Sequence, residues 1–153
     1  MRDFLRRRVL EPLQKQLQTG ITPQKLATSV AVGAVIGTFP VLGSTTLLGL
    51  ACGFAFRLNH LAVQILLNVT YPLQLVFLLP LLAAGGKLLN APVPASLDAL
   101  QAQFKAGVWA TLQTFAEATA GAIAVWLCVA VPLILVLRVV LRAPLAKLVK
   151  PPA

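Results

Sequence analysis

The stretch GAVIGTFPVLGSTTLLGLACG, residues 33–53, is apolar throughout, yet it carries Pro40, Gly43 and the consecutive hydroxyls Ser44, Thr45 and Thr46 at its centre. It lies within a run from Leu26 to Phe56 that holds 31 residues and no charge. As one helix that run would extend about 46 Å, against a bilayer core of about 30 Å. A break at Pro40 to Gly43 divides it into Leu26–Phe39 and Ser44–Phe56, each about 20 Å long as helix and too short to cross. The expectation is a re-entrant helical hairpin that enters and leaves on one side, with residues 39–46 as its tip. Gly33 and Gly37 in the first half, and Gly49 and Gly53 in the second, form GxxxG pairs that permit close helix approach. Ser29 extends the first small stripe by one turn. Ser44, Thr45 and Thr46 are placed to cap the second half-helix. The alternative is a single kinked helix with glycine-rich faces.

Working outward, two further uncharged runs follow, Leu58 to Gly86 and Ala118 to Leu137, of 29 and 20 residues. About 20 apolar residues suffice to span a bilayer. With 58% hydrophobic and 11% charged residues, the 153-residue chain reads as one integral membrane domain. Its net charge of +9 comes from basic residues at the chain ends and beside the apolar runs. That distribution suits membrane orientation, and no nucleic-acid partner is expected. Residues 1–19 form a basic amphipathic segment, with Phe4, Leu5, Val9, Leu10, Leu13 and Leu17 set against Arg6, Arg7, Arg8 and Lys15, suited to an anionic cytoplasmic leaflet. A frayed basic tail is the alternative. The apolar residues there are not gathered into the core of a cleavable signal peptide.

A core region, 20–90, thus contains the hairpin (26–56) and a second membrane segment (58–86). Residues 91–117 read as a loop and an amphipathic approach helix, N-capped by Ser96 and marked by Leu97, Leu100, Phe104, Val108 and Leu112. A transmembrane helix over 118–137, with a kink at Pro132, and a basic cytoplasmic tail over 138–153 complete the chain. The fold class is therefore all-α, a polytopic helical membrane protein with a re-entrant broken-helix hairpin and about two full crossings. In this arrangement Arg2, Arg6, Arg7, Arg8, Lys15, Lys25, Arg57, Arg138, Arg142, Lys147 and Lys150 lie inside, and only Lys87 and Lys105 outside. Both termini are expected in the cytoplasm, with the protein in a bacterial inner membrane. A variant with the second run re-entrant satisfies the charge rule nearly as well, so charge leaves open which run folds back.

The second run shows a polar pattern. Arg57, His60, Gln64, Asn68 and Tyr71 follow at spacings of three and four and fall within about 80° around a helix, before a break at Tyr71 and Pro72. Polar groups within a bilayer seek partners or a water-filled cavity. This stripe either lines a pathway or hydrogen-bonds to neighbouring helices, including the carbonyls that Pro40 leaves free.

Catalytic machinery is not visible. Four acidic residues and one histidine form no nucleophile–base pair, paired carboxylates or metal cluster, and no phosphate-cradling glycine loop is present. Cys52 and Cys128 read as small buried thiols. No cofactor, metal or enzymatic activity is expected.

The sequence Gly20-Ile-Thr-Pro23, then Leu26-Ala27, Gly33, Phe39-Pro40, Gly43, Arg57-Leu58-Asn59 and Pro72 followed by Gly86, resembles the bacterial domain of unknown function 2062 family, over about residues 20–90. The resemblance implies a bacterial membrane protein without an established activity, in a family with some members fused to glycosyltransferase domains. Those fusions point to lipid-linked sugar or envelope work. The chain departs from the family pattern at Tyr71, where asparagine is common, and at Thr45, where glutamine is. Two functions remain in view. One is transport or translocation of a lipid or small solute, which in so small a chain needs a homo-oligomer or a membrane protein partner. The other is a non-catalytic scaffold for an envelope enzyme.

Overall fold

The computed structural model describes residues 21–94 and 96–148, together with Arg7 and Glu11. The expected amphipathic segment over residues 1–19 otherwise lies outside the described residues. From residue 21 onward the described residues form five helices in order: α1 (Pro23–Ile36), α2 (Thr45–Ala55), α3 (His60–Leu88), α4 (Leu97–Ala106) and α5 (Val108–Leu148). Among the described residues there are no strands.

α1 starts where local chemistry places it. Thr22 accepts a hydrogen bond from the Lys25 amide at its side-chain oxygen, and Pro23 occupies the first turn, where a missing N–H costs nothing. The helix closes at Gly37, and Thr38 then donates both its amide and its hydroxyl to the Val35 carbonyl. Pro40 prevents continuation, and Gly43 turns the chain at φ +81°, a backbone conformation that costs glycine no Cβ clash. Ser44 does not cap α2 as expected. Its backbone is already helical (φ −89°, ψ −14°), so the hydroxyl cannot face the first amides and instead donates to the Val41 carbonyl.

Two expected punctuation marks do not interrupt the chain. α3 runs unbroken through Pro72 and Pro80, both exposed, while Leu66, Leu67, Thr70 and Gln74 are buried. A carbonyl freed on an outer face leaves the buried contacts intact, which is why proline is tolerated there. α5 likewise continues through Pro132 and Pro144. It absorbs the second half of the expected approach helix, the 118–137 span and most of the expected tail into one helix of 41 residues, about 60 Å long. The break falls instead at Gly107, after α4. There Thr111, fully buried, donates its hydroxyl to the Gln103 and Gly107 carbonyls and ties α4 to α5. The Ser96 cap of α4 is present, accepting from the Ala99 amide.

α1 packs against both α3 and α5. At its first turns Leu26, Ala27 and Val30 meet Ala62 and Leu66 of α3 and Leu145 of α5. Further along, Val32, Val35 and Ile36 join Val63, Leu67, Trp126 and Ala130. The expected glycine pairs do not close α1 on α2. They seat both helices on α3: a Cβ on Gly33 would lie 2.8 Å from the Val63 carbonyl oxygen, one on Gly37 would collide with Thr70, and one on Gly49 would lie 2.6 Å from Leu67. A Cβ on Gly53 would lie 2.6 Å from the His60 ring. α3 and α5 themselves meet backbone to backbone, where Gly85 faces Ala118, Gly121 and Ala122.

Around an apolar core, some polar residues are buried and many large apolar ones face outward. Ser29, Thr70, Gln74 and Thr111 are buried, while Leu73, Phe77, Leu79, Val131, Leu135 and Val139 are exposed. α3 and α5 are each long and apolar enough to cross a membrane, with mean hydropathy 1.9 and 2.7.

Candidate functional site

The α1–α2 unit returns to the end of the bundle from which it starts. Thr22, Gln24, Lys25 and Thr28 near the start of α1, and Phe56, Arg57 and Leu58 after the end of α2, line one cavity of about 580 Å³. Its tip lies beside Gln74, fourteen residues and about 21 Å along α3 from His60. There the Gln74 amide donates to the carbonyls of Phe39 (2.8 Å) and Val41 (3.3 Å), on either side of Pro40. From α5, Trp126 donates its indole N–H to the Thr38 hydroxyl at 3.1 Å and meets the edge of Phe39, with ring centroids 5.0 Å apart. Carbonyls around Pro40 thus find side-chain partners, as the sequence requires, but the partner is Gln74 and not the stripe that ends at Tyr71.

Ile134 and Arg138 of α5 also line the cavity. Three cations therefore border it from three parts of the chain: Lys25 on α1, Arg57 between α2 and α3, and Arg138 on α5. Beyond Arg138 a smaller groove continues past Gln24 to Arg142. Among the described residues no acidic side chain lines either space, and none of these cations has an ion-pair partner. The N-terminal end of α1 borders the same cavity, and the helix dipole adds to its positive potential, although the Thr22 cap and Pro23 leave few of its first amides open.

Arg57 has a conformation that its residue type does not favour. α2 ends in a paired motif: the Leu58 amide donates to the Gly53 carbonyl (2.8 Å) and the Arg57 amide to that of Phe54 (3.2 Å). Such an ending places one residue in the left-handed region, usually glycine. Here that residue is Arg57, at φ 50°, at a cost of about 1 kcal/mol relative to glycine. The end of α3 uses the same device with Asn90, at φ 54°, a residue type that tolerates it.

The expected polar stripe is divided. Arg57 precedes α3 and lines the cavity. His60 meets Phe54 of α2 with the rings tilted at 54° and centroids 4.4 Å apart, and its Nδ1 is buried without a hydrogen-bond partner. Gln64 is half-buried, whereas Asn68 and Tyr71 are exposed, and the Asn68 amide turns back to the Gln64 carbonyl. At the tip, Pro40 is buried, Ser44 and Thr45 are half-buried, and Gly43 and Thr46 are exposed. Cys52 is half-buried and joins the core, but Cys128 is exposed, contrary to the expectation for both thiols.

Gln74 was within reach of the sequence pattern, because it lies three residues beyond Tyr71 and continues the same spacing. Taking Pro72 as a break conceals it. Nothing in the spacing of Lys25 and Arg138 joins them.

A family model described as "Uncharacterized protein conserved in bacteria (DUF2062)" matches residues 6–150, well beyond the stretch of resemblance over residues 20–90. No curated protein and no solved structure matches the chain.

Proposed function

The chain belongs to the DUF2062 family of uncharacterised bacterial proteins, and we propose that it is a small inner-membrane protein that moves or handles a lipid or small solute in the envelope. α3 and α5 cross the bilayer. The α1–α2 unit is re-entrant, opening with both termini on the cytoplasmic side and carrying its tip to mid-depth. The observation that carries this reading is the meeting of both ends of α1–α2 at one cavity, while Gln74 and Trp126 hold the tip partway along the two long helices. Outward-facing leucine, valine and phenylalanine with inward-facing serine, threonine and glutamine fit a lipid surround, where polar groups must find partners inside. Lys25, Arg57, Arg138, Arg142 and Lys147 fall towards the cavity end and its α5 extension, and Lys87 and Lys105 towards the other, as the positive-inside rule requires. The role is non-catalytic, and an assembly of several copies or a membrane partner completes the path along Gln64, Asn68 and Tyr71.

The alternative, a membrane scaffold for an envelope enzyme, is favoured by the exposure of Asn68 and Tyr71, which offer a polar patch to a neighbouring protein. Two measurements separate the readings. Single cysteines at Thr22, Phe56 and Asn90, in a chain without Cys52 and Cys128, are treated with an impermeant thiol reagent from each side. Thr22→Cys and Phe56→Cys label from the cytoplasm and Asn90→Cys from the opposite face; labelling of the first two from opposite faces would sink the re-entrant reading. In proteoliposomes, a fluorescent phospholipid crosses between leaflets with the native protein, and the Gln64→Leu/Asn68→Leu double variant slows it by about tenfold. Undiminished crossing removes the stripe from the path, and no crossing with native protein leaves the scaffold.

A further inference from the structure

We propose that the cavity bordered by α1, the α2–α3 connection and α5 is a binding site for a phosphate group, presented by an anionic lipid headgroup or free in solution. The inference deepens the membrane reading, on which it rests for a lipid as the source; the anion chemistry stands on the cavity itself. Lys25, Arg57 and Arg138 reach this space from three elements, and among the described residues no carboxylate lines it. Cations that served only to orient the chain in a bilayer would gain from standing apart, since like charges at close range repel. Converging on one opening, they are stabilised by an anion with several acceptor oxygens, to which arginine donates in pairs.

The backbone at Arg57 gives an independent reason. Glycine would end α2 there without strain, yet the position holds an arginine at φ 50° that lines the cavity. Strained residues of this kind concentrate where a side chain has a task other than stability. The rest of the lining suits an amphipathic ligand: Thr22, Gln24 and Thr28 on the polar side, Phe56 and Ile134 on the apolar side. At about 580 Å³ the cavity is of the size that holds small molecules, about 300–1,000 Å³, and exceeds what a bare phosphate fills. Basic pockets between membrane helices on the cytoplasmic side take up anionic headgroups in this way.

The test uses the full chain in detergent micelles, titrated calorimetrically with dihexanoyl phosphatidic acid, inorganic phosphate and dihexanoyl phosphatidylcholine. Phosphatidic acid binds, and Lys25→Gln and Arg138→Gln each weaken it by about tenfold. Arg57→Gly weakens it equally while the thermal midpoint holds or rises, which distinguishes a lost ligand contact from a damaged fold. Inorganic phosphate binding as tightly as phosphatidic acid identifies free phosphate as the source, and weaker binding by about tenfold or more identifies the headgroup. Absence of binding by both phosphate probes overturns the proposal, as does affinity unchanged in all three variants or equal affinity for phosphatidylcholine undiminished by them. Failure here leaves the cysteine-labelling pattern intact, and a failed re-entrant topology leaves the inorganic-phosphate titration intact.

Discussion

At the far end of the bundle, α3 and α5 lie so close at Gly85 and Gly121 that a Cβ on either would run into backbone. At the near end the same two helices both contact α1, and beside it a cavity stays open among Lys25, Arg57 and Arg138. One end is closed by removing side chains, the other is held open by inserting a short helix and gathering like charges. The tight end leaves no room for a ligand, whereas at the open end the cavity lies beside the core formed by Leu26, Ala62, Leu66 and Leu145. With the proposed anion site at the open end, ligand recognition would sit opposite the tightest packing, and the tip of α1–α2 stands between them.

Substitutions should reproduce that gradient. Gly85→Val forces its Cβ into the backbone at Ala118 and Ala122, where no side chain can move aside, and destabilises by about 3 kcal/mol or more. A thermal scan in detergent that finds an unchanged midpoint would break the comparison. At the middle level, Gln74→Leu strips the Phe39 and Val41 carbonyls of their donor and costs about 2 kcal/mol, read in the same scan and by faster proteolysis at the tip. Thr22→Ala, at the open end, removes only the cap of α1 and costs about 1 kcal/mol. Ser44→Ala is smaller again, within about 0.5 kcal/mol, because that hydroxyl does not reach the amides of α2. Lys25→Gln and Arg138→Gln sharpen the picture most by doing least: each leaves stability within about 0.5 kcal/mol or raises it slightly, since one repulsive charge is gone. A large loss at either would mean that these cations hold the open end together.

The turn between α1 and α2 was legible because its causes are local. Pro40 lacks an N–H wherever it lies, and Gly43 supplies a positive φ without needing a neighbour. The caps of α1 and α4 are legible for the same reason. Ser44 was misleading because capping depends on the φ and ψ of the cap residue, which here is set by how the tip docks on Gln74 and Trp126. Pro72 misled in the opposite direction, since a helix packed along one face runs past a proline on the other. The glycine pairs announced close approach without naming the partner: the pattern is identical whether α1 meets α2 or both meet α3.

By itself the sequence determined the helical class, the lengths of the apolar runs, the turn at Pro40 to Gly43 and the distribution of charge along the chain. These follow from backbone dihedrals and side-chain polarity, which act over a few residues at a time. Only the tertiary structure decided that α3 receives both glycine faces, that Gln74 satisfies the tip, and that Lys25, Arg57 and Arg138 surround one cavity. Those outcomes depend on which surfaces fit against one another, and shape complementarity between distant segments has no period or spacing along the chain.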